Sequence, residues 1–392
     1  MILYDLTFIR EAIINDNNLQ DDKYYSINKT NNSKYKIVSY NKDFLRQDLI
    51  YKYGLLKSVI VSKSNVLCFA PPKSLSAETF MLKYPINTNK IVAEEFVEGI
   101  MINLFFDPDL NSWEVATRNI IGTSIYKQMF LDVCSTSNLI IDSLNKNYCY
   151  SFVLQHTTHR LVNPLKYNKL YLINVYEIIQ TNKHIIINEI DNDEIRHNGL
   201  WFLTGIKFVE RYEFSSYSDL IEKFASRNTP YNIMGVIIRN KITGQRSKFR
   251  NPNYEEIKYL KNNQCKLQYQ YLCLRREGKV AEVLKYCPEM KQIISQFRDH
   301  LHMFTNNLHK NYVECYVKKK HPLFSYPLQM RPHMKNLHQH YIDNLLSQKL
   351  GITNTEVIKY VNNLHPSILI YALNYNLRKK MIDDIKCDSW LN

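Results

Sequence analysis

Between Tyr35 and Tyr254 the apolar residues fall in short runs rich in Ile, Val, Tyr and Phe, bounded by Asn, Asp, Pro or Gly. Runs of that length and composition predict β-strands. They lie at 35–40, 56–62, 66–70, 92–106, 113–118, 148–155, 170–179, 184–190 and 235–240. Helical patterns near 124–131, 215–226 and 253–261 interrupt them. An antiparallel α+β domain fits this order better than regular βαβ alternation. Ahead of it, residues 1 to about 34 read as a short amphipathic helix followed by a polar surface loop over 15–34.

After about residue 255 the period changes. Ile294, Phe297, Leu301, Phe304, Leu308, Tyr312 and Tyr316 recur every three or four positions, marking one face of an amphipathic helix. Thr353 with Glu356 three residues on predicts a capped helix start. Pro366 suits the first turn of a last helix ending near Lys380. The pattern therefore predicts two domains, 1–255 of mixed sheet and helix and 256–392 all-helical. There is no internal repeat.

A chain of 392 residues with 45% hydrophobic content and 29 tyrosines can bury two substantial cores. No apolar run approaches the roughly 18–20 residues that cross a bilayer. Asp5 and Arg10 break the apolar N-terminus, against a secretory signal. Eight scattered cysteines lack zinc-knuckle spacing and read as reduced thiols of a cytosolic protein. The net charge of +14 adds a partner class, a polyanion and foremost nucleic acid, although charge also serves solubility. From Glu255 onward there are 21 Lys and Arg against 12 Asp and Glu, so the helical part is the more basic.

The candidate chemistry is an ordered series. Tyr35 to Asn41 and Leu56 to Val61 are followed by Ala70-Pro71-Pro72-Lys73-Ser74. Then come Glu94-Glu95-Phe96-Val97-Glu98-Gly99 with its following strand, and Thr117-Arg118-Asn119. Phe152 to Val162, Met234-Gly235-Val236-Ile237 and Ser247-Lys248-Phe249-Arg250 complete it. Over roughly 35–255 this order and spacing resemble the phage-type RNA ligase 1 family, more closely its homologues in large DNA viruses of eukaryotes. The resemblance implies an antiparallel-sheet nucleotidyltransferase (ATP-grasp-like ligase) domain and a place in the host cytoplasm or a viral factory. It also implies RNA or another nucleic acid as partner, a nucleotide ligand and no membrane. An active member would use ATP and Mg²⁺: a lysine takes AMP from ATP, and the AMP passes to an RNA 5′-phosphate that a 3′-hydroxyl then attacks. Each step develops charge on phosphate oxygens, so cations and metal-holding carboxylates are needed.

Carried across by position, the basic half is present. Lys57, Lys73 and Arg118 match basic positions, Lys248 and Arg250 match the paired cations of the last motif, and Glu98 with Gly99 holds the turn. The other half is absent. Phe96 stands at the nucleophile, and Val153 and Met234 stand where the family has glutamates. A phenyl ring forms no phosphoramidate. Lys90, six residues upstream, and Lys73, on another strand, are poorly placed for an attack distance of about 3–3.5 Å. The expectation is a degenerate nucleotidyltransferase that binds nucleotide or RNA 5′-phosphate ends. The alternatives are an active ligase with a non-standard nucleophile and a structural or assembly subunit.

Each feature also has a plainer reading. Gly99 alone could be an ordinary turn, and Lys248 with Arg250 a solvated strand face. The histidines from His300 to His340 lack metal-site spacing and read as core or surface residues. Lys318-Lys319-Lys320 suits either a helix end or RNA phosphates. Tyr269 and Tyr271 could stack bases, but residues two apart do not share a helical face, and packing explains Tyr271 at least as well.

Overall fold

Alternation decides where each strand's side chains go. Along Tyr148–Gln155, Tyr150, Phe152 and Leu154 enter a core with Phe130, Val133 and Trp201, while Cys149 enters a separate core on the other face. The computed structural model describes residues 2–14, 22–30, 34–86, 90–122, 124–261 and 266–380. Two units emerge, Met1–Lys258 and Tyr259–Asn392.

The first unit contains three sheets. In the largest, strands lie in the order Ile2–Asp5, Ile185–Glu189, Lys169–Gln180, Tyr148–Gln155, Ile100–Asp107 and Ser112–Ala116, with Lys207–Phe208 beside Lys169–Gln180. A four-stranded sheet runs Tyr25–Lys29, Tyr35–Tyr40, Val59–Ser62 and Asn65–Phe69. Another runs Arg211–Tyr212, Ile91–Glu95, Gly235–Asn240 and Arg246–Arg250. Apart from the short Lys207–Phe208 pair, the strand pairings are antiparallel. The antiparallel α+β expectation holds.

Helix Ile125–Thr136 covers the large sheet through Phe130, which meets Phe152 at 5.5 Å between ring centroids. Both rings are fully buried, each contributing about 1.5–3 kcal/mol of hydrophobic stabilisation. Helices Ala77–Lys83 and Tyr217–Phe224 cover the third sheet, with Phe80, Leu220, Val236 and Phe249 in that core. Ser76 and Ser216 cap them by accepting from the Thr79 and Asp219 amides.

Three expectations need correction. The N-terminus begins as a strand, Ile2–Asp5, because it pairs with Ile185–Glu189; the helix there is the short Arg10–Ile14. Part of the expected polar loop is the strand Tyr25–Lys29, paired with Tyr35–Tyr40; positions 15–21 and 31–33 lie outside the described residues. The run 92–106 is two strands in different sheets, Ile91–Glu95 and Ile100–Asp107.

The second unit is helical throughout its described residues. Lys291–Tyr312 buries Ile294, Leu301, Phe304, Leu308 and Tyr312 against Met334, Leu337, Val357 and Val361. Thr353 accepts from the Glu356 amide at 3.3 Å, as its spacing predicts. Pro366 opens Pro366–Leu373; the helix breaks at Asn374 and resumes over 375–380. Tyr271 is core, and the adjacent Gln270 is buried too, its side-chain amide donating to the Leu260 and Lys261 carbonyls. Cys265 and Cys387 lie outside the described residues, and the six described cysteines are free thiols. Among the described residues no helix is long and apolar enough to cross a membrane.

Candidate anion-binding site

Phe96 to Gly99 is the crossover by which the chain leaves Ile91–Glu95 in one sheet and enters Ile100–Asp107 in another. Gly99 permits it. Its φ is +155°, and an added Cβ would lie 2.5 Å from the Leu154 carbonyl oxygen and 2.6 Å from Val153 Cγ1. Glu98 anchors the other side, accepting from the Val162 amide at 2.7 Å and from Asn163 Nδ2 at 2.8 Å. Its carboxylate therefore holds the fold and does not line the cavity.

A cavity of about 220 Å³ opens beside this crossover and draws on two of the sheets and on Lys57, just ahead of a strand of the third. One wall is apolar: Val97, Val153 and Val209 pack with Met101, Tyr171 and Ile173, and Met234 adds to the lining. A register shift between Leu172 and Asn174 helps build this wall. Leu172 and Val175 both belong to the core beneath helix Ile125–Thr136, so the bulge leaves Ile173 and Asn174 together on the cavity side.

The opposite wall is cationic. Arg246, Lys248 and Arg250 alternate along one strand and share a face, and Lys57 joins them from the loop ahead of Val59–Ser62. The Lys248 amine lies 4.5 Å from the centroid of the buried Phe96 ring and the Arg250 guanidinium 5.5 Å from it. The ring face carries partial negative charge, so the Phe96 phenyl group acts as a seat for two cations.

Burial, then the charges of Arg246, Arg250, Lys73 and Lys258, lowers the Lys248 amine to about 7. Burial also pushes Lys57 well below the ordinary lysine range, with Arg246, Lys248, Arg118 and Lys73 adding to the effect. Neither lysine has a carboxylate partner among the described residues. Arg250 does: it reaches Glu255 at 2.6 Å. Arg246 donates to the Pro72 carbonyl at 2.7 Å, and its Nε is buried with no hydrogen-bond partner.

Of the residues singled out in the sequence, Phe96, Gly99, Val153, Met234, Lys57, Lys248 and Arg250 line this one cavity. Lys73 instead lines an adjoining cavity of about 400 Å³, which shares Arg246. Arg118 lines neither; it packs over Tyr40 at 5.3 Å. Lys90 is also absent from the lining. Sequence reading missed Arg246, although strand alternation puts it on the same face as Lys248 and Arg250. It also missed Arg239, whose guanidinium pairs with Glu189, which in turn accepts from Asn174 and from the Tyr4 hydroxyl. Tyr4 and Glu189 are 185 positions apart, so no local signal joins them.

The resemblance implies a divalent metal for an active enzyme, and the donors here do not suit one. Of the two carboxylates lining the cavity, Glu94 faces Arg211 at 3.7 Å, and burial raises the Glu95 carboxyl above its ordinary range. Among the described residues no three His, Cys, Asp or Glu side chains converge as ligands.

No protein-family model matches the chain, and no curated protein matches it. Solved structures of Naegleria gruberi RNA ligase do. A point variant with ATP and Mn is 12% identical, with a TM-score of 0.38, over 49% of this chain and 58% of that one. The form with PPi is 12% identical at 0.37 over 48% and 57%. An apo variant is 12% identical at 0.37 over 59% and 75%. The chain thus spans less than two thirds of the length of the first two. A likeness this distant carries no residue roles across.

Proposed function

We propose that the first unit is a nucleotidyltransferase-like domain that has lost covalent chemistry and binds the terminal phosphate of a nucleotide or of a 5′-phosphorylated RNA. One observation carries this reading. Phe96, Val153 and Met234, which the resemblance aligns with a lysine and two glutamates, line the same cavity as Lys57, Arg246, Lys248 and Arg250. Lys57 and Lys248, buried among other cations with no carboxylate partner among the described residues, are costly to the fold, and an anionic ligand relieves that cost. The reading would make this an RNA ligase-like binding protein that protects, senses or presents an RNA end.

A second reading has its own support in the Lys248 amine above Phe96, deprotonated in part at neutral pH. An amine desolvated beside other cations is a recognised form of activated nucleophile. Lys248 would attack the α-phosphorus of a nucleoside triphosphate: the N–P bond forms, the bond to pyrophosphate breaks, and the amine proton leaves to solvent. We favour binding because the groups that would hold a metal-bound triphosphate are missing from the lining.

Incubation with α-labelled ATP or GTP and Mg²⁺ or Mn²⁺, followed by a denaturing gel, separates the two. The expected result is no adduct. An adduct lost in Lys248→Ala would overturn the proposal in favour of the second reading. In parallel, a 5′-phosphorylated oligonucleotide is expected to bind more tightly than its 5′-hydroxyl twin. That advantage should fall with salt and vanish in Lys248→Ala/Arg250→Ala. Equal binding of the two oligonucleotides by the native protein, together with no binding of ATP or GTP, would overturn the terminal-phosphate reading.

A further inference from the structure

The helical unit carries a second feature that the cavity does not explain. Helix Lys291–Tyr312 passes into a π-helical turn, Val313–Val317, and helix Arg331–His340 into another, Tyr341–Leu345. Wide turns of this kind are uncommon inside helices and concentrate at functional sites. Here both turns deliver aromatic residues to one column. Tyr316 stacks on His338 with centroids 3.9 Å apart and planes at 18°, and His338 lies 5.9 Å from Tyr341, again at 18°. The buried Tyr312 anchors the column, 5.3 Å from Tyr316, with its hydroxyl 3.5 Å from His338 Nδ1.

Tyr316, His338 and Tyr341 are only half-buried. The residues after the two tyrosines, Val317 and Ile342, are exposed at 66% and 47%. Cations stand beside them. The Lys318 amide donates to the Val313 carbonyl at 2.8 Å and the Lys320 amide to the Glu314 carbonyl at 2.9 Å, folding the lysine run onto the turn that carries Tyr316. Lys320 faces Glu314 at 3.7 Å, while Lys318 and Lys319 are exposed and have no carboxylate partner among the described residues.

We propose that Tyr316, His338 and Tyr341, flanked by Lys318 and Lys319, form a base-stacking site for single-stranded nucleic acid. Near-parallel rings offer flat faces to bases irrespective of sequence, and adjacent lysines neutralise the backbone that runs past them. A helix end accounts for the lysines alone. It does not account for two wide turns converging on one stack whose members remain open to solvent. The positive balance of this unit favours a nucleic acid over an apolar protein surface.

The test uses the full chain and a 5′-hydroxyl single-stranded RNA of about 12 nucleotides bearing one 2-aminopurine, so that the cavity reading is not engaged. Binding is expected to quench the probe, as stacking on an aromatic ring does. Tyr341→Ala should weaken affinity by about tenfold, with the salt slope unchanged. Lys318→Ala/Lys319→Ala should instead lower that slope by about 1.4, at roughly 0.7 per phosphate contact on a single strand. Tyr341→Leu keeps apolar packing, so it reports on stacking even where the alanine variant folds poorly. Retention of native affinity and quenching by a folded Tyr341→Leu protein overturns the proposal. So does equal weakening toward duplex RNA, whose bases are not free to stack. A surface that binds a protein instead would give the first of these results.

Discussion

Arg239 and Lys248 lie on adjacent strands of one sheet and line one cavity, yet they are held in opposite ways. Arg239 has a dedicated counter-ion in Glu189, and the same carboxylate accepts from Tyr4 and Asn174. Lys248 is surrounded by Arg246, Arg250 and Lys73, and an aromatic ring is its seat. The first arrangement is complete without a ligand. The second leaves charge uncompensated, as a site for an anion must. Positive charge in a cavity therefore does not by itself mark a binding site; the absence of a counter-charge does.

The sharpest way to break this comparison is to remove the counter-ion of the structural cation. Glu189→Ala leaves Arg239 buried without a partner and should lower stability by about 3–5 kcal/mol in denaturant unfolding. A loss below 1 kcal/mol would mean that Arg239 is no more committed to the fold than Lys248.

Next in size, Lys248→Met should act in the reverse sense, raising stability by about 0.5–2 kcal/mol while phosphate binding weakens. The gain depends on pH. The folded chain holds Lys248 at about 7 against an ordinary 10.5. Between those values the unfolded chain binds the extra proton, so native stability climbs as pH rises through this window. Below about 7 the penalty is complete. The advantage of the methionine variant should therefore be largest at pH 6.5 and shrink by pH 9. Lys57, lowered for the same reason, keeps part of the slope in both proteins. A gap that widens at pH 9 would contradict the assignment.

What the sequence discloses follows the same division. Strand alternation and turn residues reveal most strands, and the helical period and the Thr353 cap are visible in the second unit. Lys248 and Arg250 are legible through their match to a paired-cation motif, and alternation puts both on one strand face. The crossover is nearly silent: within 92–106 Gly99 is the one glycine, and nothing else local marks the change of sheet. The strand Ile2–Asp5 and the Arg239–Glu189 pair rest on contacts between distant positions, which no local pattern encodes. The bulge at Leu172/Asn174 and the two π-turns are likewise set by packing.

A comparable effect tests the seat itself. Phe96→Leu keeps an apolar group at the crossover but removes the ring beneath Lys248 and Arg250. Loss of the two cation–ring contacts should cost about 1–2 kcal/mol of stability. Thermal or denaturant unfolding of the variant alongside Lys248→Met and the double mutant resolves the coupling. The two changes should be non-additive, since both delete the same contact. Strict additivity would mean that the ring packs for its own sake.

The smallest expected effect belongs to the most tempting substitution, Phe96→Lys. It puts an amine where the proposed reading expects a nucleophile, but into surroundings that, on that reading, do not serve the reaction. The new side chain would meet Lys248 and Arg250 where it previously offered them a ring face, so cation repulsion replaces attraction. Its amine would be depressed and nucleophilic, yet Val153 and Met234 supply no carboxylate to hold a metal or a nucleoside. Attack needs near-attack geometry as well as a reactive amine, and positioning alone is worth about 7–11 kcal/mol of a barrier. The variant should therefore form no covalent nucleotide adduct above the native background with labelled ATP and Mg²⁺ or Mn²⁺. A robust adduct from this single change would mean that the apolar wall still positions a triphosphate, and that the loss of chemistry resides in Phe96 alone.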